Sequence, residues 1–134
     1  MNNQQSVYDS GTMITLSTNN RQTMIAGSQV YSKTTIQVSS DKRLKENIEY
    51  ADHDKCAEFI NGINVKTFNY IGDDTPCIGV IAQDLQDSDM GKYFVFKQPG
   101  EDGYRAVKAA DLVFPLIATV QKLSEKVAYL QEIN

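Results

Sequence analysis

Basic charge is in short supply. Lys and Arg number 13 against 17 Asp and Glu, for a formal net charge of −4. A nucleic-acid surface needs the opposite balance, so no nucleic-acid partner is expected. Lys42, Arg43 and Lys45 do cluster, but acidic residues surround them. No apolar run approaches the ~20 residues that cross a bilayer, so no membrane partner is expected. The opening MNNQQSVYDSG has neither a basic nor an apolar segment, so no signal peptide is expected. Histidine occurs once, as His53 in the polar run YADHDK, and there is no CxxC pair. A metal site is therefore not expected, and His53 reads as a solvated surface residue. Cysteine occurs twice, at Cys56 and Cys77. Two free thiols in a reducing cytoplasm is the favoured reading, with a disulfide still open at this point.

What is present falls into two stretches that meet near Ser40. Residues 1–40 are rich in Asn, Gln, Ser and Thr, with Asp9, Arg21 and Lys33 as their charges. Short alternating runs appear at 13–16, 22–25 and 34–38, separated by Asn19-Asn20 and Gly27-Ser28. Each reads as a thin β-strand that cannot bury enough surface alone. Wound with copies from other chains, such strands form an intertwined β-stalk. The bland alternative is a disordered polar leader.

After Ser40 the chain reads as a small α+β domain. A short helix is predicted over Lys55–Asn61, ended by Gly62. Val65–Tyr70 alternates like a strand, IGDDTP is a loop, and Ile78–Leu85 reads as a strand passing into a helix. Tyr93–Lys97 and Tyr104–Lys108 flank the turn signal QPGEDG, which predicts a β-hairpin. Exposed aromatics around Tyr93–Phe96 offer a receptor-binding tip, although hairpin core is the better reading of them.

The strongest periodicity is at the C-terminus. Val113, Leu116, Val120, Leu123, Val127, Leu130 and Asn134 follow alternating spacings of three and four. That is a heptad stripe with Val at a and Leu at d. Asp111 is the expected N-cap, and Pro115 falls in the first turn. The stripe calls for self-association or for packing on its own domain, and it does not fix a strand number. Ile117 and Ile133 widen it.

The junction reads Ser39-Ser40-Asp41-Lys42-Arg43-Leu44-Lys45-Glu46-Asn47-Ile48. The run SDKRLKENI resembles the opening motif of the intramolecular chaperone auto-processing domain that ends phage endosialidase tailspikes, tail fibres and neck appendages. GVIAQDL at Gly79–Leu85 and the stretch from Tyr104 to Leu123 are similar to later parts of that family, so the resemblance spans 40–134. It implies a homotrimer whose C-terminal helices form a coiled coil. It implies that 40–134 is a chaperone for an upstream fibre of the same chain, with 1–39 the end of the fibre's stalk. It implies single-turnover self-cleavage by a Ser/Lys dyad, carried onto Ser40 as nucleophile and Lys45 as general base, with no cofactor. Ser39 is a less favoured nucleophile. Assembly would take place in a host cytoplasm, with the upstream part kept in the virion.

The chemistry sets conditions on that reading. A serine needs a nearby base to become a useful nucleophile. An ordinary lysine, with pKa near about 10.4, is under ~0.1% neutral at pH 7. Desolvation or a close cation must lower it, and Arg43 is the local cation. In one continuous helix, residues five apart sit about 140° apart around the axis. Ser40 and Lys45 therefore need a bend between them, or contact across subunits. Attack on the preceding carbonyl cuts Ser39–Ser40 through an ester. Cutting Ser40–Asp41 would need a strained four-membered ring and is disfavoured. An oxyanion stabiliser is required, from amides near Asn47 or from a distant element. Two readings compete with self-cleavage: a permanent trimerisation cap and the receptor-binding tip. The bland reading of the junction is a helix start with Ser40 as N-cap.

Overall fold

The computed structural model describes residues 30–133. The chain divides into two units, Met1–Ile36 and Gln37–Asn134. The stalk strands expected at 13–16 and 22–25 lie outside the described residues. The run at 34–38 is described and is not a strand, and Ile36 and Val38 are exposed. A strand with one thin apolar face gains too little from burial within a single chain.

The second unit is mixed, as the sequence predicts. Helix α1 spans His53–Asn61. It starts two residues before the predicted position because Asp52 caps it. The Asp52 Oδ1 accepts from the backbone N–H of Asp54 at 2.9 Å and of Lys55 at 3.1 Å. Gly62 closes the helix, its N–H bonding back to Glu58 and Phe59, with φ −89 rather than a left-handed turn. His53, expected on the surface, is half-buried as the first residue of the helix.

Strands β1 (Lys66–Phe68) and β2 (Cys77–Gly79) pair antiparallel, Phe68 opposite Cys77. Helix α2 (Ala82–Gln86) follows. Strands β3 (Val95–Lys97) and β4 (Arg105–Val107) form the predicted hairpin around QPGEDG, with Val95 opposite Val107. A 3-10 turn at Ala109–Leu112 then leads into the long helix α3, Val113–Glu132. Asp111 lies inside that turn, so it is not the N-cap, and no side chain caps α3. The Lys108 N–H bonds to the Phe94 carbonyl at 2.8 Å, which holds the chain on the hairpin until the turn is complete. Pro115 sits in the first turn of α3, where its missing N–H costs least.

The core is small. Phe59 of α1, Leu85 of α2 and Phe94 beside β3 are buried together, ringed by Ile60, Ile63, Val80, Val95, Val107 and Leu112. The rings of Phe59 and Phe94 stack, centroids 5.2 Å apart and 10° between planes. Burying one such side chain stabilises by roughly 2 kcal/mol. Gly91 lets the chain tuck under α2, because a Cβ there would collide with the Leu85 carbonyl oxygen.

Helix α1 packs along α3. On α3 the buried residues are Pro115, Ala118 and Thr119, whose small side chains allow close approach. The Thr119 hydroxyl is satisfied internally, donating to the Pro115 carbonyl at 2.7 Å. An ion pair between Lys122 and Asp54 completes the contact. The heptad stripe is not the face used here. Val113, Leu116, Val120, Leu123, Val127 and Leu130 all remain about half exposed. At 100° per residue the stripe is centred about 110° around the helix from the face that meets α1.

Candidate active site

Ser40 and Lys45 bracket one 3-10 turn, Lys42–Leu44. The turn is closed by the Leu44 N–H to the Asp41 carbonyl at 3.0 Å and the Lys45 N–H to the Lys42 carbonyl at 3.1 Å. At Lys45 the backbone becomes extended, φ −124 and ψ 152. This turn and the extended residue after it supply the bend that a continuous helix would lack. The side chain of Lys45 folds back, and its Nζ donates to the Ser40 Oγ at 2.6 Å. Of the two routes open from sequence, contact within one chain is the one this geometry contains. Both residues are exposed.

Asp41 caps the turn, in place of the Ser40 cap that a plain helix start would use. Its Oδ1 accepts from the Arg43 backbone N–H at 2.8 Å and from the Arg43 Nε at 3.1 Å, and its Oδ2 accepts from the Nη2 at 2.9 Å. The Arg43 guanidinium, and then its backbone N–H, hold the Asp41 carboxyl below the usual carboxylate range. The side-chain bonds to Asp41 raise Arg43 above its ordinary value. This corrects one expectation. Arg43 does not stand as a free cation acting on Lys45, because the Asp41 carboxylate beside it balances its charge. The acceptor spacing Asp-x-Arg is the signal that sequence reasoning passed over.

Two residues past Lys45, Asn47 has φ 53. Among non-glycine residues Asn enters this left-handed region most readily. The chain therefore turns sharply after Lys45 and runs exposed to α1. Ser39 lies in exposed, irregular chain just before Ser40. No buried polar side-chain atom among the described residues lacks a partner.

An open groove of about 620 Å³ starts at Asn47 and Glu49 and runs between Tyr50, Lys55, Tyr93 and Phe114. It contains neither Ser40 nor Lys45. Among the described residues no group of three or more His, Cys, Asp or Glu is placed to hold a metal ion. No helix of the described residues is long and apolar enough to cross a membrane. Cys56 and Cys77 are both free thiols, Cys56 buried and Cys77 half-buried.

Residues 40–93 match the Peptidase_S74 family, chaperone of endosialidase. That segment is similar to the family, over less than half of the chain. The match begins on Ser40, and it contains the SDKRLKENI opening motif, α1, both strands of the first hairpin and α2. It ends at Tyr93, so the β3–β4 hairpin and α3 lie beyond it. No curated protein matches the chain.

Proposed function

We propose that residues 40–134 are a trimerisation and folding chaperone for a phage fibre or tailspike, with 1–39 as the end of its stalk, and that this chaperone releases itself by cutting Ser39–Ser40. The observation that carries the reading is the 2.6 Å contact between Lys45 Nζ and Ser40 Oγ in a chaperone-of-endosialidase segment. Ser40 Oγ attacks the Ser39 carbonyl carbon and gives its proton to Lys45 Nζ. The tetrahedral adduct expels the Ser40 nitrogen, which takes that proton back as an amine. An ester now joins the Ser39 carbonyl to the Ser40 Oγ. One water hydrolyses it, leaving a Ser39 carboxylate and a chain that begins at Ser40.

The contact serves attack only with a neutral amine. An ammonium can only donate to the serine, whereas a general base must accept from it. Exposure favours the charged form of a lysine, and burial by neighbouring subunits would disfavour it. Assembly therefore acts as a checkpoint: the chain cuts once subunits cover the junction. The uncovered heptad stripe of α3 supports self-association as the covering event, and the family resemblance makes that assembly a homotrimer.

Intact mass under denaturing conditions tests this, with Ser40→Ala and Lys45→Ala beside the parent. Two parental fragments summing to the chain plus one water, with both variants intact, are expected. One intact 15.0 kDa species in all three would leave a permanent trimerisation cap as the better account.

A further inference from the structure

We infer that the Asp41–Arg43 pair is a clasp that positions the Ser40–Lys45 contact, so that both residues are positioning residues for the self-cleavage proposed above. The inference rests on that reading. Ser40 precedes the 3-10 turn and Lys45 follows it, so the shape of this one turn sets the separation of Oγ and Nζ. A single exposed 3-10 turn is marginal in water, since it fixes several dihedrals for few hydrogen bonds. Here three hydrogen bonds from Arg43 converge on the Asp41 carboxylate and span the turn from its cap to its second residue. Two of them involve both oxygens of the carboxylate and two nitrogens of the guanidinium, a planar arrangement that an ammonium cannot reproduce.

The clasp also separates the tasks of the two nearby cations. Arg43 is bound to Asp41, and Lys45 is directed to Ser40. Without the carboxylate the turn opens and the lysine loses its aim. Small errors of placement cost a positioned reaction up to ~100-fold.

The test is the rate of self-cleavage of the full chain from pH 6 to 9, followed by intact mass, for the parent, Asp41→Asn, Arg43→Gln, Arg43→Lys and the Asp41→Asn/Arg43→Gln double variant. Ser40→Ala and Lys45→Ala serve as uncut controls. Oligomeric state is checked for each. We expect a loss of about tenfold in each neutralised single variant and no further loss in the double, because both remove one interaction. Arg43→Lys should recover part of the rate. The parent-to-Asp41→Asn ratio should stay constant across the range, since the carboxylate is ionised throughout. Parental rates in the single variants would overturn the clasp, as would losses that multiply in the double. A shift of the rising pH limb in Asp41→Asn would also overturn it, by showing that Asp41 tunes the base instead of placing it. An uncut parent would sink the self-cleavage reading and the clasp with it. A cut parent beside equally fast variants would sink the clasp alone.

Discussion

At the scale of residues, neighbours in sequence can have opposite fates. Phe94 is buried at the centre of the core, whereas Phe96 is exposed on β3. Strict alternation would place both on one face. Phe94 escapes it because it lies before the strand, with φ −124 and ψ −22. The two cysteines make a second contrast. Cys56 is 2% exposed, and burial, then the nearby Asp52 carboxylate, push its thiol up from the ordinary value. Iodoacetamide at pH 8 should therefore label Cys77 well before Cys56 in the folded chain and both at similar rates in urea, read by peptide mass. Equal labelling of the folded chain would contradict the burial of Cys56. Ser40 and Lys45 were legible as a pair from the opening motif. Their meeting within one chain was not, because it depends on where a three-residue turn stops and extended backbone begins.

Elements owe their ends to local chemistry and their faces to packing. The start of α1 is set by Asp52, a capping signal one residue before His53. The start of α3 is set by tertiary contact, since Lys108 is held by Phe94 and Asp111 is consumed in the turn before the helix. The ion pair between Lys122 of α3 and Asp54 of α1 links the two helices. The hydrogen bond from Lys122, then its charge, lower the pKa of Asp54. A carboxyl with a depressed folded-state pKa adds stability above its unfolded value, near about 3.9, and loses it as pH falls through the folded value. Asp54→Asn should thus lower Tm slightly at pH 7, with the difference shrinking below about pH 4 and in high salt. Asp54 is fully exposed, so the effect is small. An unchanged Tm at pH 7 and low salt would show that the pair contributes nothing measurable.

At the scale of the whole molecule, the main imbalance among the described residues is between a small core and a large uncovered apolar surface. Phe59, Leu85 and Phe94 are the large apolar side chains buried among the described residues, while Val120, Leu123, Val127, Leu130 and Ile133 are each more than half exposed on α3. A contiguous stripe of this kind is what the proposed assembly would cover. Val120→Asp with Leu123→Asp should give a monomer by sedimentation with the helix content of the parent, because neither residue lies on the face that meets α1. If assembly is the checkpoint, this monomer should stay uncut over times that fully process the parent. Cleavage at the parental rate would remove the checkpoint.

The sequence by itself determined the mixed class of the second unit, the hairpin around QPGEDG, the long heptad helix and the family likeness of its 40–93 segment. These depend on local pattern: alternation, turn residues, period and motif. Tertiary structure decided which face of α3 meets α1, why Asp111 does not cap it, where Arg43 spends its charge and how Lys45 reaches Ser40. Each of these is a competition between partners brought together by packing or by a turn, and a linear pattern does not record which partner wins.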